Sequence, residues 1–319
     1  MAEARIPVDI FNPGQVFACL GFLEAADILI GDAAGGFDWG DESDVRFTLR
    51  TPGNDNPVET VLNFFATTRL SQLVPIGYKD PPPKEGKEDA EKDGDENTNG
   101  ATAQVGDMTL LIECCFPSAS GDRMALPVRL ESNGAPAVDM GHWADGSSRE
   151  TFKLYAGNRS ADLIVRAMLW GTKKKPTKKH PAGSILTKGI AQLWESIRAE
   201  LVAHPFDSLT PMGGSFNFDP RGVWTAIHAG YSPNDQKHDV AASPVVEILA
   251  ALGLENARPD EFATRKVRYA VWGIELPPLL ARAALTGAIP SIPSKHFRFD
   301  LDLSGKNKGV TFATLEKAP

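Results

Sequence analysis

The sequence predicts an α+β fold, with mixed or antiparallel sheets and several packed helices. Three observations predict it. Three stretches open with the same helix-start signal, six others read as strands, and the two kinds do not alternate as regular βα units. The chain has 319 residues and is 42% hydrophobic, enough to bury one large core or two modest ones.

The first helix is predicted in NPGQVFACLGFLEAADILIG, where Asn12 can cap, Pro13 takes the first helical position and Gly31 can close the end. NPVETVLNFFATTRL repeats the device with Asn56 and Pro57, and Glu59 is placed for a capping box. SPVVEILAALG repeats it again with Ser243, Pro244 and Gly253. Apolar residues recur at helical spacing in all three: Val16, Leu20 and Leu23; Val61, Phe64 and Phe65; Val245, Ile248 and Leu252. A fourth helix is expected around Ile185 to Val202. Strands are expected over residues 45–50, 108–116, 151–157, 266–276, 296–303 and 309–316. In the fifth run Phe297, Phe299, Leu301 and Leu303 alternate with polar residues, as a half-buried strand requires. SGKNKG between the last two runs reads as a hairpin turn.

Residues 79–104 contain almost no large apolar side chain, so burial there cannot offset a backbone entropy cost of about 1–2 kcal/mol per residue. They read as a disordered acidic insertion. The expected division is therefore an N-terminal α/β part (1–78), the insertion (79–104), a β-rich continuation of the core (105–171), a basic loop (172–184) and a C-terminal α+β part (185–319). The net charge is −8, and residues 79–96 carry half of it, with four Lys against eight Asp and Glu. GTKKKPTKKH, residues 171–180, carries five lysines and no acid. Local charge is thus a better guide to partners than the total. The longest mainly apolar stretch, Val16 to Ile30, is interrupted by Glu24 and Asp27 and is too short to cross a bilayer. The first residues lack a basic region followed by an apolar one, so no signal peptide is expected. Three cysteines, two of them adjacent, argue against a disulfide framework. The expected compartment is the cytoplasm.

The common catalytic signatures G-x-S-x-G, H-E-x-x-H and C-x-x-C are absent, GKNKG lacks Walker A spacing, and GDAAGGF has the wrong glycine spacing for a dinucleotide fingerprint. His238–Asp239 brings no converging ligand set, so no metal and no cofactor are expected. Cys114 and Cys115 read as buried small hydrophobes. Two segments stand out. Lys173, Lys174, Lys175, Lys178 and Lys179 form either a solvated loop or a phosphate-contacting arm. FDPRGVWTAIHAGYSPNDQK, residues 218–237, offers Arg221 and Lys237 for phosphates, Trp224 and Tyr231 for stacking, and Asn234 for a base edge. Its ordinary reading is a structural loop whose Trp and Tyr plug the core.

IPVDIFNPGQVFACLGFLEAAD, FDPRGVWTAIHAGYSPND and SPVVEILAALGLENARP together resemble the CRISPR-associated proteins of the type I-U (also called I-G) loci, over about Ile6 to Pro259. The resemblance implies a non-enzymatic subunit of a Cascade surveillance complex, similar to its large, PAM-reading subunit. Its implied partners are guide RNA, target double-stranded DNA, the other Cascade subunits and the helicase-nuclease, with no membrane. The chain is short for a large subunit, and the alternative is an RRM-like backbone subunit gripping guide RNA, with Lys306 and Lys308 of the SGKNKG turn as contacts. A competing class is a metal-free guide-RNA endoribonuclease, for which His228 or His296 would supply acid–base chemistry.

Overall fold

A computed structural model describes residues 1–79, 101–102, 110–115, 123–144, 152–155, 160–174, 185–212, 214–223, 240–304 and 307–316. Among these the architecture is α+β, as expected, with six helices. They are α1 (Pro13–Leu29), α2 (Pro57–Thr67), α3 (Ala161–Trp170), α4 (Ile190–Ala203), α5 (Pro244–Gly253) and α6 (Pro278–Leu285).

The strands form three larger and two small sheets. β1 (Ala2–Pro7), β2 (Ala34–Asp38) and β3 (Arg46–Thr51) form an antiparallel sheet in the order β1-β3-β2. β4 (Arg69–Pro75) pairs parallel with β6 (Leu110–Cys114) and antiparallel with β7 (Val128–Glu131), which continues to β8 (Val138–Met140). β5 (Ala101–Thr102) pairs with β9 (Thr172–Lys174), and β9 with β10 (Ile185–Thr187); β11 (Thr210–Pro211) pairs with β12 (Ala241–Ala242). The last sheet runs β13 (Asp260–Ala263), β14 (Lys266–Trp272), β15 (Ser294–Ser304), β16 (Asn307–Val310), with β17 (Thr314–Leu315) also on β15. Ser304 faces Asn307, so the expected hairpin joins through residues 305–306.

The start signals act as predicted. Asn12 Oδ1 accepts from Gln15 N at 3.1 Å, Asn56 Oδ1 from Val58 N at 2.9 Å, and Ser243 Oγ from Val246 N at 3.4 Å. Glu59 does not complete a capping box; its Oε1 takes two N–H groups of Arg198 on α4 instead. Gly31, at φ +94°, closes α1 through its N–H to Ala26 O.

Other expectations shift. The fourth helix starts at Ile190, because residues 185–187 form β10. Thr172–Lys174, expected in the basic loop, is strand, and Ala101–Thr102 of the expected insertion is strand too; residues 80–100 and 175–184 lie outside the described residues. Residues 152–155 carry no strand but send Phe152, Leu154 and Tyr155 into the core. Cys114 is half-buried and Cys115 exposed, contrary to expectation, because nothing among the described residues pairs with the outer edge of β6.

One hydrophobic core runs from Ile6 to Ala313 and joins the expected N-terminal and C-terminal parts. Its axis is α1, buried on all sides from Pro13 to Ala26, against α5, buried throughout. The two backbones touch. A Cβ on Gly21 would lie 1.9 Å from Leu249 O, and one on Gly253 would lie 2.2 Å from Phe17 O. Gly253, expected only to end its helix, thus admits the neighbouring backbone. Glu24 is 5% exposed on α1 and is held by a bidentate bridge to Arg282 of α6, 2.6 and 2.7 Å.

Gly21→Ala is expected to destabilise the protein by about 3 kcal/mol, because backbone cannot retreat as a side-chain tip can. Gly31→Ala, where a Cβ would meet nothing within 4 Å, is expected to cost about 1–2 kcal/mol through its positive φ alone. Urea unfolding midpoints would check the order of the two losses.

Candidate functional site

The FDPRG stretch begins in the core. Phe218 is 1% exposed and packs with Phe152 and Phe216. Asp219 caps a single 3-10 turn, Pro220–Gly222, by accepting from Arg221 N at 3.2 Å. Its carboxylate, fully buried, then gathers three chain segments. Oδ1 accepts from Asn12 Nδ2 at 3.2 Å and Arg221 Nε at 2.9 Å; Oδ2 accepts from Arg221 Nη2 at 2.7 Å and Ser243 N at 3.0 Å. Asn12 and Ser243, the caps of α1 and α5, are thus both tied to one carboxylate.

Glu247 of α5 completes the cluster. Its Oε1 accepts from Phe218 N at 3.0 Å and Asp219 N at 2.8 Å. Its Oε2 has no hydrogen-bond partner among the described residues. Burial, aided by the neighbouring Asp219 charge and opposed by the backbone N–H groups, pushes its pKa up to about 8. The neutral acid is therefore the form built into the fold at neutral pH. On the far side of the Phe216–Phe218 rings His142 is buried, and desolvation, with Arg258 adding to it, pulls its pKa down to about 3. Glu255 caps the turn there, accepting from Gly141 N at 2.7 Å and His142 N at 2.8 Å, and burial raises it as well.

Arg221 therefore has a different role from the one expected. Its guanidinium, expected to hold phosphate, is bound to Asp219 and its side chain is 21% exposed. Trp224, Tyr231, Asn234 and Lys237, with His228, lie outside the described residues. The segment that bears them is flanked by Val223 and Val240. Both flanks are fixed at the cluster, by Asp219 to Ser243 N and by Gly222, whose Cβ would meet Ala242 Cβ at 2.8 Å.

Lys173 is exposed on β9 beside Lys174, while Lys175, Lys178 and Lys179 lie outside the described residues. Lys308 lies on β16, its N–H donating to Leu154 O at 2.9 Å, and Lys306 lies outside the described residues. His296 sits on β15 with Nε2 3.2 Å from Ser294 Oγ. β16 lies against the start of the candidate segment: a Cβ on Gly309, next to Lys308, would meet Val223 Cγ1 at 2.4 Å.

No group of three or more His, Cys, Asp or Glu among the described residues is placed to hold a metal ion, and no described helix is long and apolar enough to cross a membrane. The element order β1-α1-β2-β3-α2, with sheet order β1-β3-β2, reproduces the first part of a ferredoxin-like split βαβ arrangement. β4, which would complete that arrangement, pairs with β6 and β7 instead. The strand faces carrying Glu3, Arg5 and Arg50 hold ion pairs, Glu3 bridging both arginines at 2.9 and 2.7 Å, in place of the aromatics that an RNA-stacking sheet presents.

The two buried titrations have opposite signs. Glu247, raised from 4.5 to about 8, contributes stability that is whole below pH 4.5 and lost as pH rises through 8. His142, lowered from 6.5 to about 3, contributes stability that is whole above pH 6.5 and lost as pH falls through 3. Their slopes offset each other between these windows, and from pH 6.5 to 8 the Glu247 loss stands without the His142 gain. Glu247→Gln is expected to remove a decline of about 1.4 kcal/mol per pH unit in that range. Denaturant titrations at pH 6.5, 7.2 and 8 on both proteins would measure it; parallel curves would refute the assignment.

No family model, no curated protein and no solved structure matches the chain.

Proposed function

We propose that this chain is a non-enzymatic subunit of a type I CRISPR surveillance complex of the I-U kind, acting in the cytoplasm. Its role there is to contribute to guide-RNA and target-DNA binding, flanking-motif reading and recruitment of the helicase-nuclease. One observation supports the reading. The three stretches that carry the resemblance, around Asn12, Asp219 and Ser243, form a single hydrogen-bonded unit although Asn12 and Asp219 are 207 positions apart. The segments that carry the resemblance are thus neighbours in the fold, as parts of one functional surface would be.

On this reading the nucleic-acid contacts come from the segment that the unit anchors, Trp224 to Lys237, and from the lysines after residue 172. Arg221 acts as the anchor of that segment. The second reading, an RRM-like backbone subunit, draws on the split βαβ order of the N-terminal elements. A subunit that grips guide RNA would be needed for RNA retention, whereas a flank reader would be needed for discrimination between DNA flanks.

The test is co-expression of the tagged chain with the other Cascade proteins and a guide RNA. Recovery of a guide-RNA ribonucleoprotein is expected; recovery of RNA-free, lone protein would overturn the proposal. Replacing Lys173, Lys174, Lys175, Lys178 and Lys179 by Gln in that complex is expected to lower the salt slope of DNA binding by about one for each phosphate no longer neutralised. An unchanged slope would return the run to a solvated segment. Trp224→Ala with Lys237→Ala is expected to weaken DNA or guide-RNA binding while leaving the cluster at Asp219 intact.

A further inference from the structure

A cleft of about 500 Å³ opens on the surface. Four pieces of chain form it: the β1–α1 loop, the β2–β3 loop, the turn after α4, and β15 with β17. Its lining holds four carboxylates, Asp9, Glu42, Asp44 and Asp207, and one ammonium, Lys295. Lys295 is bound to Glu42 at 2.9 Å, and Asp44 to Arg46 at 2.9 Å. Asp9 and Asp207 have no Lys or Arg within ion-pair distance among the described residues; the side chain of Asp207 is 71% exposed, 3.7 Å from His204 Nδ1.

An independent feature lies inside. Gln15 is 6% exposed and lines the cleft. Its Oε1 accepts from Asp9 N at 2.8 Å, which fixes the other terminal atom as the amide nitrogen. That Nε2 has no acceptor among the described residues. Beside it stand two apolar side chains that the fold leaves uncovered, Phe11 at 44% and Leu315 at 49% exposure. Phe11 is held there, edge-on to Phe297 at 5.3 Å.

We propose that this cleft docks an extended basic segment of a partner protein, an Arg or Lys next to an aliphatic residue. A main-chain carbonyl of the segment accepts from Gln15 Nε2, the cation lies against Asp9 and Asp207, and the aliphatic side chain covers Phe11 and Leu315. The charge excludes the other common occupants. Carboxylates repel phosphates, so this is no nucleic-acid groove, and the acids are not gathered tightly enough for a metal ion. The inference goes beyond the proposed function and does not rest on it.

The test uses the full chain and a fluorescein-labelled peptide, Gly-Leu-Arg-Leu-Arg-Gly, followed by anisotropy at low salt. Saturable binding is expected. Asp9→Asn with Asp207→Asn, which keeps the acceptor for Phe11 N, should weaken it about tenfold. Asp55→Asn with Glu195→Gln, the same charge change outside the cleft, should leave it unchanged. Replacing both Leu of the peptide by Ser, or both Arg by Gln, should also weaken binding, and these arms do not touch the fold. Absence of saturable binding, or equal losses in the two double variants, would overturn the proposal. Self-association of the chain that the Asp9 and Asp207 changes abolish would assign the cleft to a second copy and overturn it equally.

Discussion

Everything else in this structure is arranged around two helices whose backbones touch. α1 and α5 approach until Gly21 meets Leu249 O and Gly253 meets Phe17 O, leaving no room for a side chain at either glycine. A third glycine, Gly14, lies against Phe218 O, where a Cβ would sit at 2.4 Å. The three close approaches run along one seam from the start of α1 to its middle. Such proximity gives dense dispersion attraction and removes water from both helices, and it makes the seam intolerant of added volume. The seam also explains why α1 is mostly apolar from Pro13 to Ala26, with Gln15 and Glu24 as the polar exceptions. With α5 and α2 against it, α6 beside it and β3 below, that stretch is buried throughout.

The polar cluster at one end of the seam sets its register. Sliding α1 along α5 by one residue would press a side chain into the space that Gly21 leaves beside Leu249 O. It would also part Asp219 from one of the two helix caps it holds, Asn12 or Ser243. Leaving a buried carboxylate short of one neutral donor costs about 1–3 kcal/mol, whereas the made hydrogen bond adds only about 1 kcal/mol net. The cluster therefore specifies the arrangement more than it stabilises it. Glu247 belongs to the same logic. As a neutral acid it satisfies the Phe218 and Asp219 N–H groups without setting a second charge beside Asp219.

What can be read from the sequence follows the range of the interaction. The caps of α1, α2 and α5 are local chemistry within four residues, and all three are legible. The alternating β15 and its hairpin are legible for the same reason. Gly253 is legible as a glycine but not in its role, because a glycine that ends a helix and one that admits a neighbouring backbone look alike in sequence. Glu59 reads as part of a capping box because its real partner, Arg198, is 139 positions away. Lys173 and Lys174 read as loop because their strand partners, Ile185 and Ala101–Thr102, lie in other segments of the chain. β1, β4 and β7 follow no turn signal that sets them apart, whereas α3 does carry one, Ser160 at its N-cap and Gly171 at φ +73° after its end, which is legible but lacks the Pro that marks the other three helices. Of the candidate site, the segment is legible but the role of Arg221 is not. An Asp two residues before an Arg, in a D-P turn that caps itself, is the signal that the guanidinium has a partner at home.

Charge placement connects the seam to the proposed role. Among the described residues, Arg5, Arg46, Arg50, Arg129, Arg198, Arg221, Arg268 and Arg282 all pair with carboxylates of the same fold. The body of the protein uses these planar, bidentate cations to hold itself together. Arg69, Arg265 and Arg298 make no ion pair among the described residues, and the densest group of cations in the sequence is the lysine run after residue 172. Lysine is a strongly hydrated point charge that neutralises phosphate without fixing geometry, so such a run confers affinity and salt dependence but little selectivity. On the proposed function, discrimination among flanks would fall to groups of another kind, for which the sequence offers Trp224, Tyr231 and Asn234. A net charge of −8 is compatible with such a division, since many of the carboxylates that produce it hold arginines or rim a cleft on the folded body.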